Sequence, residues 1–394
     1  MKKSSQILGA KFQKPDVYGS ISMPVYNTVA FEFPDADSMA DAFCGRSDYP
    51  DYSRVTNPTV TFLEKQVADL TGAEYVLAVN SGMAAICGAL MAVAAAGKSI
   101  MTSRHLFGNT YLLLEKNLKR FGVESILADL TDPDEVERLW RDNTCCIFLE
   151  SVTNPQLEVA DVRKLAEIAH RHGVPLIVDT TMIPVTLYSG KDLGIDFEVL
   201  SSTKYVSGGA TSLGGLVVDY GNFPDVTARL KSDILFNLGA YMNPHAAYMQ
   251  LLGLESMELR YAREEESALR VAKAMKQEPA VKRVNYPGLE DNPFHQIAKE
   301  LYGGFGAMIT IELADEAACR SLIDNLQLFR RATNLFDNKS LAIHPYSTIF
   351  GTISEEMRRE MDVRPGVIRL SIGLEDPEDL IADLKQALST KSAR

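Results

Sequence analysis

Short apolar segments alternate with amphipathic segments along most of the chain from about residue 56. The segment NPTVTFLEKQVADLTG opens with Asn-Pro and closes at Gly72, which predicts a helix. Two further helices are predicted in MAAICGALMAVAAAG, stopped by Gly97, and VRKLAEIAHRHG, stopped by Gly173. Buried strands are predicted in YVLAVNSG, KSIMTS, CCIFLES, PLIVDTT, EVLSSTKYVSGG and GGLVVDYG. This alternation predicts an α/β fold with a mostly parallel, doubly wound sheet.

The two ends of the chain differ from this central part. Residues 1–55 are rich in proline and aromatic residues but lack sustained periodicity, which predicts an N-terminal arm that packs on a neighbouring subunit. Residues 56–245 form the predicted large domain. Beyond it, long helical patterns, the strand-like AMITIEL and the helix-like PEDLIADLKQALST predict a smaller C-terminal α+β domain over residues 246–394.

Composition narrows the class of protein. The net charge of −12 disfavours binding to nucleic acid, because phosphates would be repelled. The five cysteines are odd in number and lack the spacing of a metal site, so reduced thiols are expected and no metal is predicted. Neither the basic N-terminal segment nor any other stretch has the length of apolar sequence that a signal peptide or a membrane span requires. We therefore expect a cytoplasmic protein without a membrane partner.

Polar residues follow four of the predicted strands at the point where each ends: Ser81, Asn154, Asp179 and Lys204. Parallel sheets bind ligands at the carboxyl ends of their strands. Each residue also has an ordinary explanation, since small residues, turn aspartates and surface lysines are common there. Their coincidence on four segments favours a ligand site.

Lys204 lies in SSTKYVSGG, between hydroxyl side chains and glycines. A lysine in this place is either a solvated surface residue or an amine for covalent catalysis. Hydroxyl groups and close backbone approach suit a phosphate, and a carbonyl cofactor with a phosphate arm needs an amine as well. Asp179 suits the pairing of a carboxylate with a pyridinium nitrogen. Gly82 and Met83 open a predicted helix, whose free N–H groups suit a phosphate.

The motifs DYSRVTNPT, NSGMAAI, ESVTNP, VDTT, SSTKY, NKSLAIHP and VIRLSIGLED occur in this order. Together they resemble the Cys/Met-metabolism family of enzymes that depend on pyridoxal 5'-phosphate and have fold type I. The resemblance extends from about Pro24 to Leu388. That family includes O-acylhomoserine sulfhydrylases, cystathionine synthases and lyases, and methionine γ-lyase.

The resemblance implies a role for each matching position. Lys204 would hold the cofactor as a Schiff base and transfer protons, and Asp179 would pair with the pyridinium nitrogen. The remaining implied contacts are to the phosphate (Gly82, Met83, Ser201 and Thr203), to the phosphate from an adjacent subunit (Tyr52 and Arg54), and to the substrate α-carboxylate (Asn154 and Arg369). It further implies a homotetramer built from dimers with shared active sites. For Arg369 a structural ion pair is the alternative; Glu150 and His344 are expected to be structural.

Three departures from the family pattern concern the substrate. Phe107 stands where most members have a tyrosine, so its ring can stack on the cofactor but has no hydroxyl for proton transfer. Thr180 stands where asparagine is usual. Phe336 replaces a glycine, and Ile349 and Phe350 replace Thr-His, which predicts a more apolar substrate pocket.

We expect γ-replacement on an O-acyl-L-homoserine, with sulfide or a thiol as the nucleophile, to give homocysteine or a thioether. Acylates leave more easily than thiolates, so the missing hydroxyl of Phe107 matters less in this reaction. The alternative is a γ- or β-lyase acting on methionine, cystathionine or cysteine. A cofactor-binding protein with little catalysis is a third hypothesis, which the full set of site residues disfavours.

Overall fold

A computed structural model describes residues 2–12 and 16–390. Residues 1, 13–15 and 391–394, parts of the predicted arm and small domain, lie outside the described residues. The strands are β1 Tyr75–Val79, β2 Ser99–Ser103, β3 Glu124–Ala128, β4 Thr144–Glu150, β5 Leu176–Asp179, β6 Phe197–Leu200, β7 Gly215–Asp219, β8 Arg283–Asn285, β9 Met308–Glu312, β10 Leu341–Ile343 and β11 Val367–Ser371.

The α-helices are α1 Lys3–Leu8, α2 Ala36–Phe43, α3 Pro58–Thr71, α4 Gly82–Val93, α5 Gly108–Leu112, α6 Pro133–Arg138, α7 Val162–Arg171, α8 Pro224–Arg229, α9 Phe236–Leu238, α10 Pro244–Glu255, α11 Met257–Met275, α12 His295–Tyr302, α13 Glu316–Asn325, α14 Glu355–Glu360 and α15 Pro377–Ser389. Short π- or 3₁₀-helical turns cover Leu113–Asn117, Leu118–Phe121, Leu230–Leu235 and Pro345–Ser347. Among the residues that the structure describes, no helix is long and apolar enough to cross a membrane.

The predicted helix starts and stops are present in the structure. The Asn57 side chain caps α3 by accepting a hydrogen bond from the N–H of Thr59, and Gly72 ends the helix with a φ of 72°. Gly173, with a φ of 69°, follows α7 in the same way. Helix α4 ends at Val93, four residues before the predicted stop at Gly97.

The large sheet has seven strands in the order β1-β7-β6-β5-β4-β2-β3. Only β7 runs antiparallel to its neighbours, which confirms the mostly parallel sheet. Strand β3, at the edge of the sheet, was not predicted from the sequence; it has only three apolar residues, which follow Glu124 and Ser125. Strands β5 and β6 are almost entirely buried, as expected for a sheet covered on both faces.

The second sheet is smaller and antiparallel, in the order β10-β11-β9-β8. It confirms a smaller C-terminal α+β domain. The predicted boundary after residue 245 falls within helix α10, which packs against α3 of the large domain. Strand β11 carries Arg369 directly opposite Thr310 of β9.

Ser81, Asn154, Asp179 and Lys204 all lie at or just beyond the carboxyl ends of β1, β4, β5 and β6. These four strands run in the same direction, so their carboxyl ends meet at one edge of the sheet. The predicted coincidence of polar residues at that edge is confirmed.

Candidate active site

Lys204 lies in the turn that follows β6, with its side chain largely buried. Its Nζ donates a hydrogen bond of 2.6 Å to Oδ1 of Asn334. Burial, together with repulsion from the Arg369 guanidinium, lowers the pKa of Lys204 to about 8, and attraction to Asp337 partly opposes both. At pH 7 about a tenth of this amine is therefore uncharged and able to act as a nucleophile, far more than for an ordinary lysine.

The lowered pKa of Lys204 predicts how the cofactor-free protein takes up a carbonyl cofactor. A protonated amine cannot attack, so the loading rate is expected to rise as pH increases to about 8 and to level off above it. An ordinary lysine would still be gaining rate at about pH 10. The measurement is stopped-flow absorbance at a series of pH values with pyridoxal 5'-phosphate.

Two variants give opposite controls for that pH profile. Arg369→Met removes a repulsive charge and should move the midpoint of the loading rate to higher pH, whereas Asp337→Asn should move it to lower pH. A midpoint that stays near 10 in the wild-type protein would contradict the assignment of Lys204 as a buried nucleophile.

Helix α4 and the segment after β6 meet at Gly82 and Ser201. A Cβ atom built on Gly82 would lie 2.6 Å from Cβ of Ser201, so only glycine fits at this contact. The Ser81 hydroxyl caps the helix by accepting a hydrogen bond of 3.2 Å from the N–H of Ala84. Within the described residues, the N–H groups of Gly82 and Met83 have no hydrogen-bond partner. A helix start with free N–H groups is suited to bind a phosphate.

Ser201 and Thr203 lie beside this helix start. The Ser201 backbone N–H donates to Oγ1 of Thr181 over 2.8 Å, and the Ser201 side chain is half-buried. The Thr203 hydroxyl instead donates to the carbonyl of Gly214 and accepts from its N–H. The serine hydroxyl is therefore the freer of the two for a ligand.

Asp179 ends β5, with Glu150 directly beside it at the end of β4. Oδ1 of Asp179 accepts a hydrogen bond of 3.0 Å from the N–H of Thr181. Burial nevertheless raises the pKa of Asp179 to about 6. Burial, together with repulsion from Asp179, also raises the pKa of Glu150 well above its usual range. A cation bound next to Asp179 would relieve this repulsion.

Arg369 is buried, with 2% of its surface exposed. Its Nη1 donates 3.1 Å to Oδ1 of Asn154, and its Nη2 lies 3.3 Å from the carbonyl oxygens of Thr333 and Asn334. No carboxylate of the described part of the chain pairs with it, so the alternative of a structural ion pair is disfavoured. Burial lowers the pKa of Arg369 to about 10, and a carboxylate ligand would supply the missing negative charge.

Lys204, Asn154 and Arg369 thus belong to one hydrogen-bonded group, in which Asn334 links the lysine to the arginine. No role was predicted for Asn334, which lies four residues before the motif NKSLAIHP. An asparagine in a loop carries no signal of its own. Only the fold shows that its side chain reaches Lys204.

The structure does not bring Tyr52 or Arg54 to this group. Tyr52 is 41% exposed, and the Arg54 guanidinium donates to the carbonyl of Phe236. No hydrogen bond within the described residues joins either side chain to Lys204 or Ser201. Their predicted contact with a cofactor across a subunit boundary stays a prediction.

The apolar replacements in the C-terminal loop have a different role from the one predicted. Phe336 and Phe350 are fully buried and so do not line an open pocket. The ring of Phe336 stacks on Tyr205 with centroids 4.0 Å apart, although its φ of 51° is one that glycine adopts more easily. The prediction of a more apolar pocket is therefore wrong for these two residues, whereas Ile349 is half-buried.

His344 has the structural contacts that were expected for it. Its Nδ1 lies 2.7 Å from Oγ of Ser347, and its Nε2 lies 2.7 Å from the carbonyl oxygen of Pro365. Both ring nitrogens are thus engaged in holding a loop. Thr180 is buried, and its hydroxyl donates a hydrogen bond to Glu198. The Thr180 side chain therefore points to the opposite face of the sheet from that of Asp179.

A family model described as Cys/Met metabolism PLP-dependent enzyme matches residues 4–389. The chain belongs to this family. It is 36% identical over 375 residues to L-methionine gamma-lyase of Fusobacterium nucleatum, with 95% of this chain and 94% of that enzyme covered. It is 35% identical over 368 residues to O-succinylhomoserine sulfhydrylase of Pseudomonas aeruginosa, with 93% and 90% covered.

A solved structure from Campylobacter jejuni, provisionally named an O-acetylhomoserine (thiol)-lyase, has the same fold with a TM-score of 0.94 and 34% identity. It covers 99% of this chain and 100% of its own. That structure contains N'-pyridoxyl-lysine-5'-monophosphate, a lysine joined to the cofactor. The chain is thus a pyridoxal-phosphate-dependent enzyme of fold type I.

The residues of this site fit pyridoxal 5'-phosphate. The uncharged fraction of the Lys204 amine can bind the carbonyl carbon, and the start of helix α4 offers the free N–H groups of Gly82 and Met83 to the phosphate. Burial beside Glu150 disfavours the charged form of Asp179, and a protonated ring nitrogen bound next to Asp179 would stabilise it as a carboxylate.

Proposed function

We propose that this enzyme replaces the γ-acyl group of an O-acyl-L-homoserine with sulfide or a thiol. The carbon–oxygen bond breaks, the acylate leaves with the electron pair, and the sulfur nucleophile forms the new carbon–sulfur bond. The product is homocysteine or a thioether. The observation that carries the proposal is Phe107, which offers a ring but no hydroxyl to protonate a departing thiolate.

In this proposal each residue of the site has one task. Bound pyridoxal phosphate supplies the ring that accepts electrons from the substrate. Lys204 holds the cofactor and then takes the proton from the substrate Cα, which its lowered pKa favours. Asp179 binds the ring nitrogen, and Arg369 and Asn154 bind the α-carboxylate. The phosphate contacts are Gly82, Met83, Ser201 and Thr203, and the ring of Phe107 stacks on the cofactor.

We further propose that two copies of the chain share their sites, with Tyr52 and Arg54 of one copy contacting the phosphate in the other, and that dimers pair as a homotetramer. The arm exposes many large apolar side chains, as a surface covered by a second copy would: Val17, Tyr18, Ile21, Val29, Met39 and Phe43. A cytoplasmic location is proposed because all five cysteines are free thiols.

The second candidate is a lyase. The similarity to methionine gamma-lyase, at 36% identity, is as high as that to the sulfhydrylase, and the cofactor contacts would be the same. As a γ- or β-lyase acting on methionine, cystathionine or cysteine, the enzyme would release a thiol or sulfide from the γ- or β-carbon without replacement. Hydrolysis then releases ammonia and a 2-oxo acid.

A product assay separates the two reactions. The purified holoenzyme is given O-acetyl- or O-succinylhomoserine with and without sulfide, and separately methionine and cystathionine. Homocysteine formed only from an acylhomoserine with sulfide is the expected result. Ammonia and a 2-oxo acid from methionine or cystathionine alone would establish the lyase instead.

Phe107→Tyr is the matched variant for this assay, because it adds a single hydroxyl to the ring. If protonation of a thiolate limits elimination, the variant should gain at least about tenfold in lyase activity and change little in replacement. An unchanged rate of elimination would mean that Phe107 does not decide between the two reactions.

A further inference from the structure

Glu150 contacts two loops of the site through its two carboxylate oxygens. Oε1 accepts a hydrogen bond of 2.6 Å from the backbone N–H of Phe107. Oε2 accepts one of 3.2 Å from the backbone N–H of Asn154. The side chain is buried, with 7% of the residue surface exposed, so water competes little for either bond. One rigid carboxylate therefore joins the loop after β2 to the loop after β4.

The hydrogen bonds continue from Asn154 to the catalytic lysine. Oδ1 of Asn154 accepts from Arg369, whose guanidinium also donates to the carbonyl of Asn334, and Oδ1 of Asn334 accepts from Lys204. Glu150 thus begins a chain of contacts that ends at Lys204. Asn154, Arg369 and Lys204 each have a proposed role at the substrate or the cofactor. Asn334 contacts both Arg369 and Lys204.

We propose that Glu150 is a positioning residue that fixes the Phe107 ring and the carboxylate-binding side chain of Asn154 relative to each other. This inference rests on the proposed roles of Phe107 and Asn154, but not on the choice between replacement and elimination. Phe107 is the residue immediately before helix α5. The hydrogen bond to its backbone N–H therefore fixes the position of the backbone from which the ring extends. A displaced Asn154 would also weaken the contact to Arg369.

Glutamine and aspartate in place of Glu150 should disturb this link in different ways. Glu150→Gln keeps the size of the side chain but replaces one acceptor oxygen with an NH₂ group, which cannot accept a bond from a backbone N–H. Glu150→Asp keeps the charge but is one methylene shorter, so it cannot span both loops. Each variant should therefore keep at most one of the two hydrogen bonds.

The test is the affinity of the holoenzyme for L-norvaline, measured by the change in visible cofactor absorbance. Norvaline has the amino and carboxylate groups of a substrate but no leaving group, so its binding does not depend on which reaction is catalysed. Loss of one charge-assisted bond should weaken norvaline binding about tenfold or more in both variants. Visible circular dichroism of the bound cofactor should change as well, because the Phe107 ring shifts.

Asp383→Asn provides the matched control. Asp383 is also a buried carboxylate that accepts loop N–H groups, from Gln327, Leu328 and Phe329 at 2.8, 2.8 and 3.0 Å, but it lies in the small domain. This variant should lose thermal stability while keeping the norvaline affinity and the dichroism of the wild type. Glu150 variants that behave like Asp383→Asn, with lower stability alone, would overturn the proposal.

Hydrogen exchange of the wild-type holoenzyme tests the link without any substitution. The amides of Phe107 and Asn154 should exchange as slowly as those of β4, because both are bound to a buried carboxylate. Exchange of either amide at the rate of an exposed loop would overturn the proposal even if the variants failed to fold. If the wild type does not bind norvaline while both amides are protected, the assignment of Arg369 and Asn154 fails and the link itself stands.

Discussion

Lys204→Ala is expected to abolish the visible absorbance of the lysine-bound cofactor and to lower turnover by at least about a thousandfold. Two functions are lost together, because the same amine binds the cofactor and moves protons in the proposed reaction. The Asn334 amide, which accepts from Lys204 over 2.6 Å, cannot replace it because an amide is neither a nucleophile nor a base. Absorbance spectra and turnover of the purified variant provide the measurement.

Lys231→Ala is the control for that experiment. Lys231 is also partly buried, and burial also lowers its pKa, but its ammonium lies over the ring of Tyr75, 3.2 Å from the centroid. This variant should keep the spectrum and the activity, with a modest loss of stability. A Lys204→Ala protein that retained the wild-type spectrum would show that Lys204 is not the residue that binds the cofactor.

Arg369→Met is expected to lower the affinity for the amino-acid substrate by about two to three orders of magnitude, which corresponds to roughly 3–4 kcal/mol. The buried guanidinium has amide and carbonyl contacts but no carboxylate partner within the described chain, so the substrate supplies its counter-ion. The thermal stability of this variant should fall less than its substrate affinity, since a buried charge without a counter-ion contributes little net stability. Norvaline titration and thermal melting measure the two effects separately.

Arg260 offers the contrasting case. It is also a buried arginine, but it donates to the backbone carbonyls of Tyr205 and Gly253 and lies one helical turn from the buried Glu264. Arg260→Met should therefore lower the melting temperature more than Arg369→Met does, and affect norvaline binding less. If Arg369→Met lowered the melting temperature more than Arg260→Met and affected norvaline binding less, Arg369 would be a structural residue.

The sequence predicted the positions of the main site residues because parallel strands impose a simple geometry. Each strand is a short apolar run, and the first polar residues after it necessarily lie at the sheet edge. Asp179 and Lys204 could be placed at that edge from the sequence alone. The role of each of these residues was inferred from the resemblance of several motifs to a family, and not from periodicity.

Other features depended on contacts between distant parts of the chain. Asn334 is 130 positions from Lys204, and no local pattern marks it as a partner. Strand β3 was not predicted because only its last three residues are apolar, which is a weak signal for an edge strand. For Phe336, the replacement of a glycine suggested a side chain in the pocket, whereas packing against Tyr205 directs the ring into the core.

Arg369 and Asn334 both come from the C-terminal part of the chain, whereas Asn154 and Lys204 come from the large sheet. The two halves therefore touch through the same side chains that are proposed to hold the substrate and the lysine. A rotation of the small sheet relative to the large one would therefore displace both Arg369, which is proposed to bind the α-carboxylate, and Asn334, which accepts a hydrogen bond from the lysine amine. On the proposed roles of these residues, such an arrangement would couple the binding of the carboxylate to the position of the lysine amine.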